Sequence, residues 1–179
     1  MKTLYAKIIK RAVYIFFIAF VLIYTIPFPI NKELDAVEIK LDDPSYLETR
    51  KIHISGTYRL NLFTDNTFQG QIFVPEYELT SGKMDEIQFM KDIDNGCPLV
   101  YKNEIGAIAD DRPLEEDYSF GRILSRPLFH RMVILVYGES KGDVRGWNSD
   151  TGYCIVPSVS NREEALKVLE KYDIFSSKK

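Results

Sequence analysis

The chain of 179 residues carries 23 Lys and Arg against 26 Asp and Glu, and its 45% hydrophobic content with 10 Gly and 8 Pro fits one folded domain, not a disordered tail. Every acidic residue follows Ile30, whereas Lys2, Lys7, Lys10 and Arg11 precede it, so the part beyond Ile30 holds 19 basic and 26 acidic groups and a net charge of −7. A domain this negative lacks the basic face that releases counterions from a phosphate backbone, which excludes nucleic acid as its expected partner.

Residues 12–30 read AVYIFFIAFVLIYTIPFPI without a charge. As a helix, such a run reaches roughly 30 Å, the thickness of a bilayer's hydrocarbon. Tyr14 and Tyr24 fall near the two interfaces, and Pro27 and Pro29 close the segment. The expectation is an uncleaved signal-anchor: a cytoplasmic stub over 1–11 and a single-pass transmembrane helix over 12–30. No small-x-small site follows the run, as cleavage would require. The basic cluster before it, and Glu33 and Asp35 after it, predict a cytoplasmic N-terminus and an extracytoplasmic C-terminal domain at the cell membrane. The lipid bilayer is one expected partner, and a cell-envelope component or another membrane protein is the other.

Residues 31–50 are expected to form a linker and a first strand, with 37–41 alternating and Asp42-Asp43-Pro44 as a turn. The extracytoplasmic β domain then covers 51–179. Ile52, Ile54, Gly56, Tyr58, Leu60 and Leu62 recur every second residue and predict one pleated face. Asp65-Asn66 turns the chain into Phe68, Gly70, Ile72 and Val74, completing a β-hairpin. Further strands are predicted over 85–90, over 99–109 with a bulge at Gly106, and over 118–125.

Residues 132–137 are apolar on both faces and predict a central, doubly covered strand; 153–156 form the last one. Ser160 with Glu163 makes a capping-box pattern that opens a helix over 161–172, with Ala165, Leu166, Val168, Leu169 and Tyr172 on one side. The predicted fold is mainly β: an N-terminal transmembrane helix, then an antiparallel β sandwich or partly open barrel of seven or eight strands with one C-terminal α-helix.

Chemistry-bearing residues are few. Cys97 and Cys154 could close a disulfide loop of about 57 residues, worth roughly 4 kcal/mol, or remain two buried thiols. Cys154 with His130 upstream and Arg162 downstream supplies the residue types of a thiol hydrolase or transpeptidase. Thr151-Gly152-Tyr153-Cys154 nevertheless lacks the Thr-Leu-x-Thr-Cys pattern of the sortase transpeptidases. The acidic stretches 92–96 and 110–117 miss the Ca²⁺-loop spacing, and two distant histidines without CxxC or HExxH leave zinc too few ligands. No metal and no cofactor are therefore expected.

The loop 138–152, GESKGDVRGWNSDTG, holds the single tryptophan, Trp147, beside Arg145, Asn148 and Asp150. That set suits a sugar ring or a peptide if the indole faces out; an indole folded back would cap the sheet instead. The function expected from these residues is a non-catalytic extracytoplasmic binding or assembly module, with a thiol hydrolase or transpeptidase using Cys154 and His130 as the alternative.

Overall fold

Alternating side chains build the first half of the domain. The computed structural model describes residues 2–90, 96–109, 112–138, 146–172 and 174. In it, β1 (Phe28–Lys40), β2 (Leu47–Arg59) and β3 (Asn66–Phe73) form an antiparallel meander. Tyr58 stands opposite Phe28 on one neighbour and Phe68 on the other, so the predicted face of β2 lines up with that of β3. Ile52, Ile54, Tyr58, Phe68 and Ile72 are all buried on it. Gly56 faces Gly70 at closest approach: a Cβ on Gly56 would sit 2.6 Å from the Cα of Gly70, so the pair must stay bare.

The second half adds β4 (Lys83–Met84), β5 (Ile87–Phe89), β6 (Gly96–Ala109), β7 (Arg112–Ser125), β8 (Met132–Val136) and β9 (Tyr153–Pro157). All nine strands join one antiparallel sheet in the order β4-β6-β7-β8-β9-β1-β2-β3-β5. The sheet curls until Met90, just past the β5 edge, bridges to Gly96 of β6. It is an open half-barrel and not a sandwich of two sheets. The strand expected over 85–90 is shortened to β5, with β4 lying before it, and the register of β6 slips between Ile105 and Ile108, around the predicted bulge at Gly106.

Two apolar clusters flank the sheet. The concave one gathers Ile52, Tyr58, Phe68, Phe89, Tyr101 and Phe120 around Phe129, whose ring lies 4.8 Å from Phe68, 5.7 Å from Tyr58 and 5.8 Å from Phe89. The convex one puts Val37, Ile39, Val133, Leu135 and Val156 beneath Ala165, Leu169 and Tyr172, on or just after α2 (Arg162–Glu170). β8 contributes Met132, Ile134 and Val136 to the first cluster and Val133 and Leu135 to the second, as a doubly covered strand must. The helix cap falls one residue later than the Ser160–Glu163 pattern predicts. Asn161 Oδ1 accepts from Glu164 N at 2.9 Å and Glu164 Oε2 accepts from Ser160 N at 2.9 Å, while Glu163 pairs with Lys167 at 2.7 Å.

The N-terminal segment departs most from expectation. The helix α1 spans Lys2–Thr25. Phe28, Pro29 and Ile30 belong to β1, opposite Tyr58, Thr57 and Gly56, because Pro27 cannot continue a helix and hydrogen bonds are available from β2. The uncharged helical stretch therefore shrinks from 12–30 to 12–25, about 21 Å against a hydrocarbon layer of about 30 Å. Among the described residues no helix is long and apolar enough to cross a membrane. Over 31–50, the expected first strand and the turn at Asp42-Asp43-Pro44 are present, but the strand begins earlier, at Phe28, and β2 starts at Leu47.

Candidate functional site

A mismatch in strand length opens the main cavity. β9 pairs with β1 only over Ala36–Lys40 and stops at Pro157. Ser158 then turns the chain toward α2 with a left-handed φ of 61°, its N–H donating to the carbonyl of Asp35 at 2.8 Å. Lys32 and Leu34, earlier on β1, thus face the connection between β7 and β8 across a gap, and Lys32 Nζ spans it to donate to the Leu128 carbonyl at 2.8 Å.

That connection is shaped by one buried ring. Phe129 drives into the concave cluster, and a 3-10 turn over Pro127–Phe129 holds it there, with Leu128 at φ 59° and Phe129 at φ 52°. Each left-handed non-glycine residue costs on the order of 1–3 kcal/mol, which the burial and the ring contacts of Phe129 offset. Leu128, Phe129 and Ser158 are the three such residues among those described, and all three stand at this cavity. With Phe129 turned inward, its neighbours Arg126, His130 and Arg131 remain exposed on the rim.

The cavity measures about 540 Å³. Lys32, Arg126, His130, Arg131 and Lys171 line it, and among the described residues no Asp or Glu does, in a domain that is otherwise acidic. None of these five forms an ion pair with a described carboxylate. The floor is hydrocarbon, from Leu34, Phe129, Met132, Val159 and Val168, closed by the ring of Tyr172. Tyr172 is 7% exposed, and its hydroxyl alone among the described buried side-chain nitrogens and oxygens has no hydrogen-bond partner. Burial pushes its phenol up, against the opposing pull of Arg126 and Arg131, so the hydroxyl stays a donor near those two charges.

The residues singled out in the sequence lie elsewhere, His130 excepted. Trp147 folds back onto the convex cluster, where its Nε1 donates to the carbonyl of Tyr153 at 3.1 Å. Asn148 Oδ1 accepts from the backbone N of Asp150 at 2.7 Å in a turn of their own, and Arg145 lies outside the described residues, as do 92–95 and 110–111. Cys97 and Cys154 are free buried thiols in the concave and convex clusters respectively, so the disulfide is not formed. His130 lines the cavity and Cys154 does not. Burial, the largest influence, pushes the Cys154 thiol up to about 12.

Arg162 is no bystander in the first helical turn. It donates from Nη1 to the carbonyls of Lys40 at 2.7 Å and Asp43 at 3.0 Å, and from Nη2 to that of Leu41 at 3.1 Å. Among the described residues no group of three His, Cys, Asp or Glu side chains could hold a metal ion. Sequence reasoning missed Lys32, Arg126, Arg131, Lys171 and Tyr172. One signal was present: Arg126-Pro-Leu-Phe-His130-Arg131 concentrates three basic side chains in six residues of an acidic domain. No protein-family model, no curated protein and no solved structure matches the chain.

Proposed function

We propose that the chain is a non-catalytic binding module held at a membrane by α1. The observation that carries this reading is the exposure of α1 on every side. Tyr14, Ile15, Phe16 and Phe17 are 68%, 67%, 73% and 62% exposed. Four consecutive residues at 100° per step sample the whole circumference of a helix. A helix apolar all round needs a cover, and lipid fits here. Lys7, Lys10 and Arg11 stand at one end of the uncharged stretch, where their stems can snorkel to the headgroups, and a bilayer thins to meet a short segment. Their position favours a cytoplasmic N-terminus with the β domain, cell-envelope component or neighbouring membrane protein on the far side.

The non-catalytic part of the reading is supported by the thiols. A nucleophilic cysteine needs a thiolate and access, whereas Cys154 is fully buried with its thiol held protonated, and His130 lies at a cavity that Cys154 does not reach.

Fractionation of cells producing the full chain tests the tether. The protein is expected to stay with membranes through alkaline carbonate and to leave them only in detergent. Ile15→Asp with Phe16→Asp should release it. Wild-type chain in the soluble fraction would sink the reading. Externally added protease on cells stripped of wall should digest the domain, and full protection would reverse the orientation.

A further inference from the structure

We propose that the cavity between β1, the β7–β8 connection and α2 binds an oxyanion, phosphate or carboxylate, that carries a compact apolar substituent. The site stands apart from the tether, since its walls come from the β domain and α2 alone.

Charge makes the first step. Lys32, Arg126, Arg131 and Lys171 crowd their positive charges around one opening, without a carboxylate among the described lining residues to relieve their repulsion. An arriving anion relieves it, and the planar forks of two arginines suit a phosphate or carboxylate oxygen pair.

Tyr172 makes the second. A buried hydroxyl without a partner is unfavourable in the empty protein, and it is kept at the cavity wall, among the positive charges. A ligand oxygen would complete it. The floor makes the third step: Leu34, Phe129, Met132, Val159 and Val168 offer hydrocarbon that a bare inorganic ion would leave wet. The left-handed backbone at Leu128, Phe129 and Ser158 points the same way, because strain of that kind collects where a site has been shaped.

Calorimetric titration of the full chain in nonionic detergent tests the proposal with four probes: hexyl phosphate, hexanoate, inorganic phosphate and hexanol. Hexyl phosphate or hexanoate should bind saturably at one per chain and at least tenfold more tightly than inorganic phosphate, with no binding of hexanol. The Arg126→Gln/Arg131→Gln variant should lose tenfold or more in affinity. Tyr172→Phe should lose about fivefold while the melting temperature of the ligand-free protein holds or rises, because the hydroxyl it removes has no partner to lose. A purely structural Tyr172 would show the reverse, a lower melting temperature and unchanged affinity. Failure of both amphiphilic anions to bind, equal binding of inorganic phosphate, or undiminished binding by the double arginine variant would overturn the proposal. Anionic phospholipid added to the micelles separates two sources of the same chemistry. Competition with hexyl phosphate identifies a bilayer headgroup, and its absence identifies a soluble ligand, the anion site standing in either case.

Discussion

Glu38 and Arg50 form an ion pair inside the concave face, Arg50 Nε donating to Glu38 Oε2 at 2.6 Å with the carboxylate fully buried and the guanidinium 16% exposed. The Tyr77 hydroxyl donates to the other carboxylate oxygen, and the Arg50 guanidinium lies 5.9 Å over the Tyr77 ring. Removing one partner strands a buried charge, whereas removing both does not. Arg50→Met should therefore cost about 3–5 kcal/mol in urea unfolding, and Glu38→Leu/Arg50→Met markedly less than the sum of its single changes. Additive costs would show that the pair is not coupled.

Trp147 behaves as a cap in this geometry. A Cβ on Gly152 would come within 2.3 Å of the indole Nε1, so the ring lies flush on bare backbone. Trp147→Ala should lower stability by about 3 kcal/mol, and Gly152→Ala should also destabilise by displacing the ring. An unchanged melting temperature for Trp147→Ala would place the indole in solvent.

Alkali should unfold the domain early. The Cys154 thiol rises from its ordinary 9.0 to about 12 on burial. Between those values the unfolded chain has released the proton and the folded one has not. The stability is thus complete below pH 9.0 and is lost as pH climbs toward 12, at up to roughly 1.4 kcal/mol per pH unit from this group. Buried Tyr77 and Tyr101 shift in the same direction and add to the loss above pH 10.0. Cys154→Ala should flatten the fall of melting temperature between pH 9 and 10, leaving the part owed to Cys97, which burial also raises. In the native protein at neutral pH, Ellman's reagent should find neither Cys97 nor Cys154; after unfolding it should find both.

Arg162 should prove sensitive to a like-charged replacement. One ammonium cannot reach the three carbonyls that the guanidinium joins, so Arg162→Lys is expected to cost about 2 kcal/mol, read as a lower midpoint in urea. No change in midpoint would mean that water serves those carbonyls equally well.

What could be read from the sequence was the part governed by local period. Ile52, Ile54, Tyr58, Phe68 and Ile72 alternate and are buried together, and the unbroken apolar run of β8 found a cluster on each face. Composition misled where pairing decided the outcome. Phe28 and Ile30 are as suited to a bilayer helix as to a strand, and only the waiting edge of β2 makes them strand. The candidate cavity was harder still, because Lys32, Arg131 and Lys171 are ordinary surface residues in sequence. Their meeting depends on where β9 stops and on the inward pull of Phe129, neither of which has a local signature.

Only Ile26 and Pro27 separate the last residue of α1 from the first of β1. The domain has no slack with which to search. Lys32 follows Thr25 by seven steps along the chain, so the cavity can stand at most about 25 Å from the end of the helix, however the chain is stretched. With α1 in a bilayer, that leash keeps the basic mouth within reach of the headgroup layer and denies it to anything deeper in the envelope. On the proposed tethering, a partner must come to the membrane to be met.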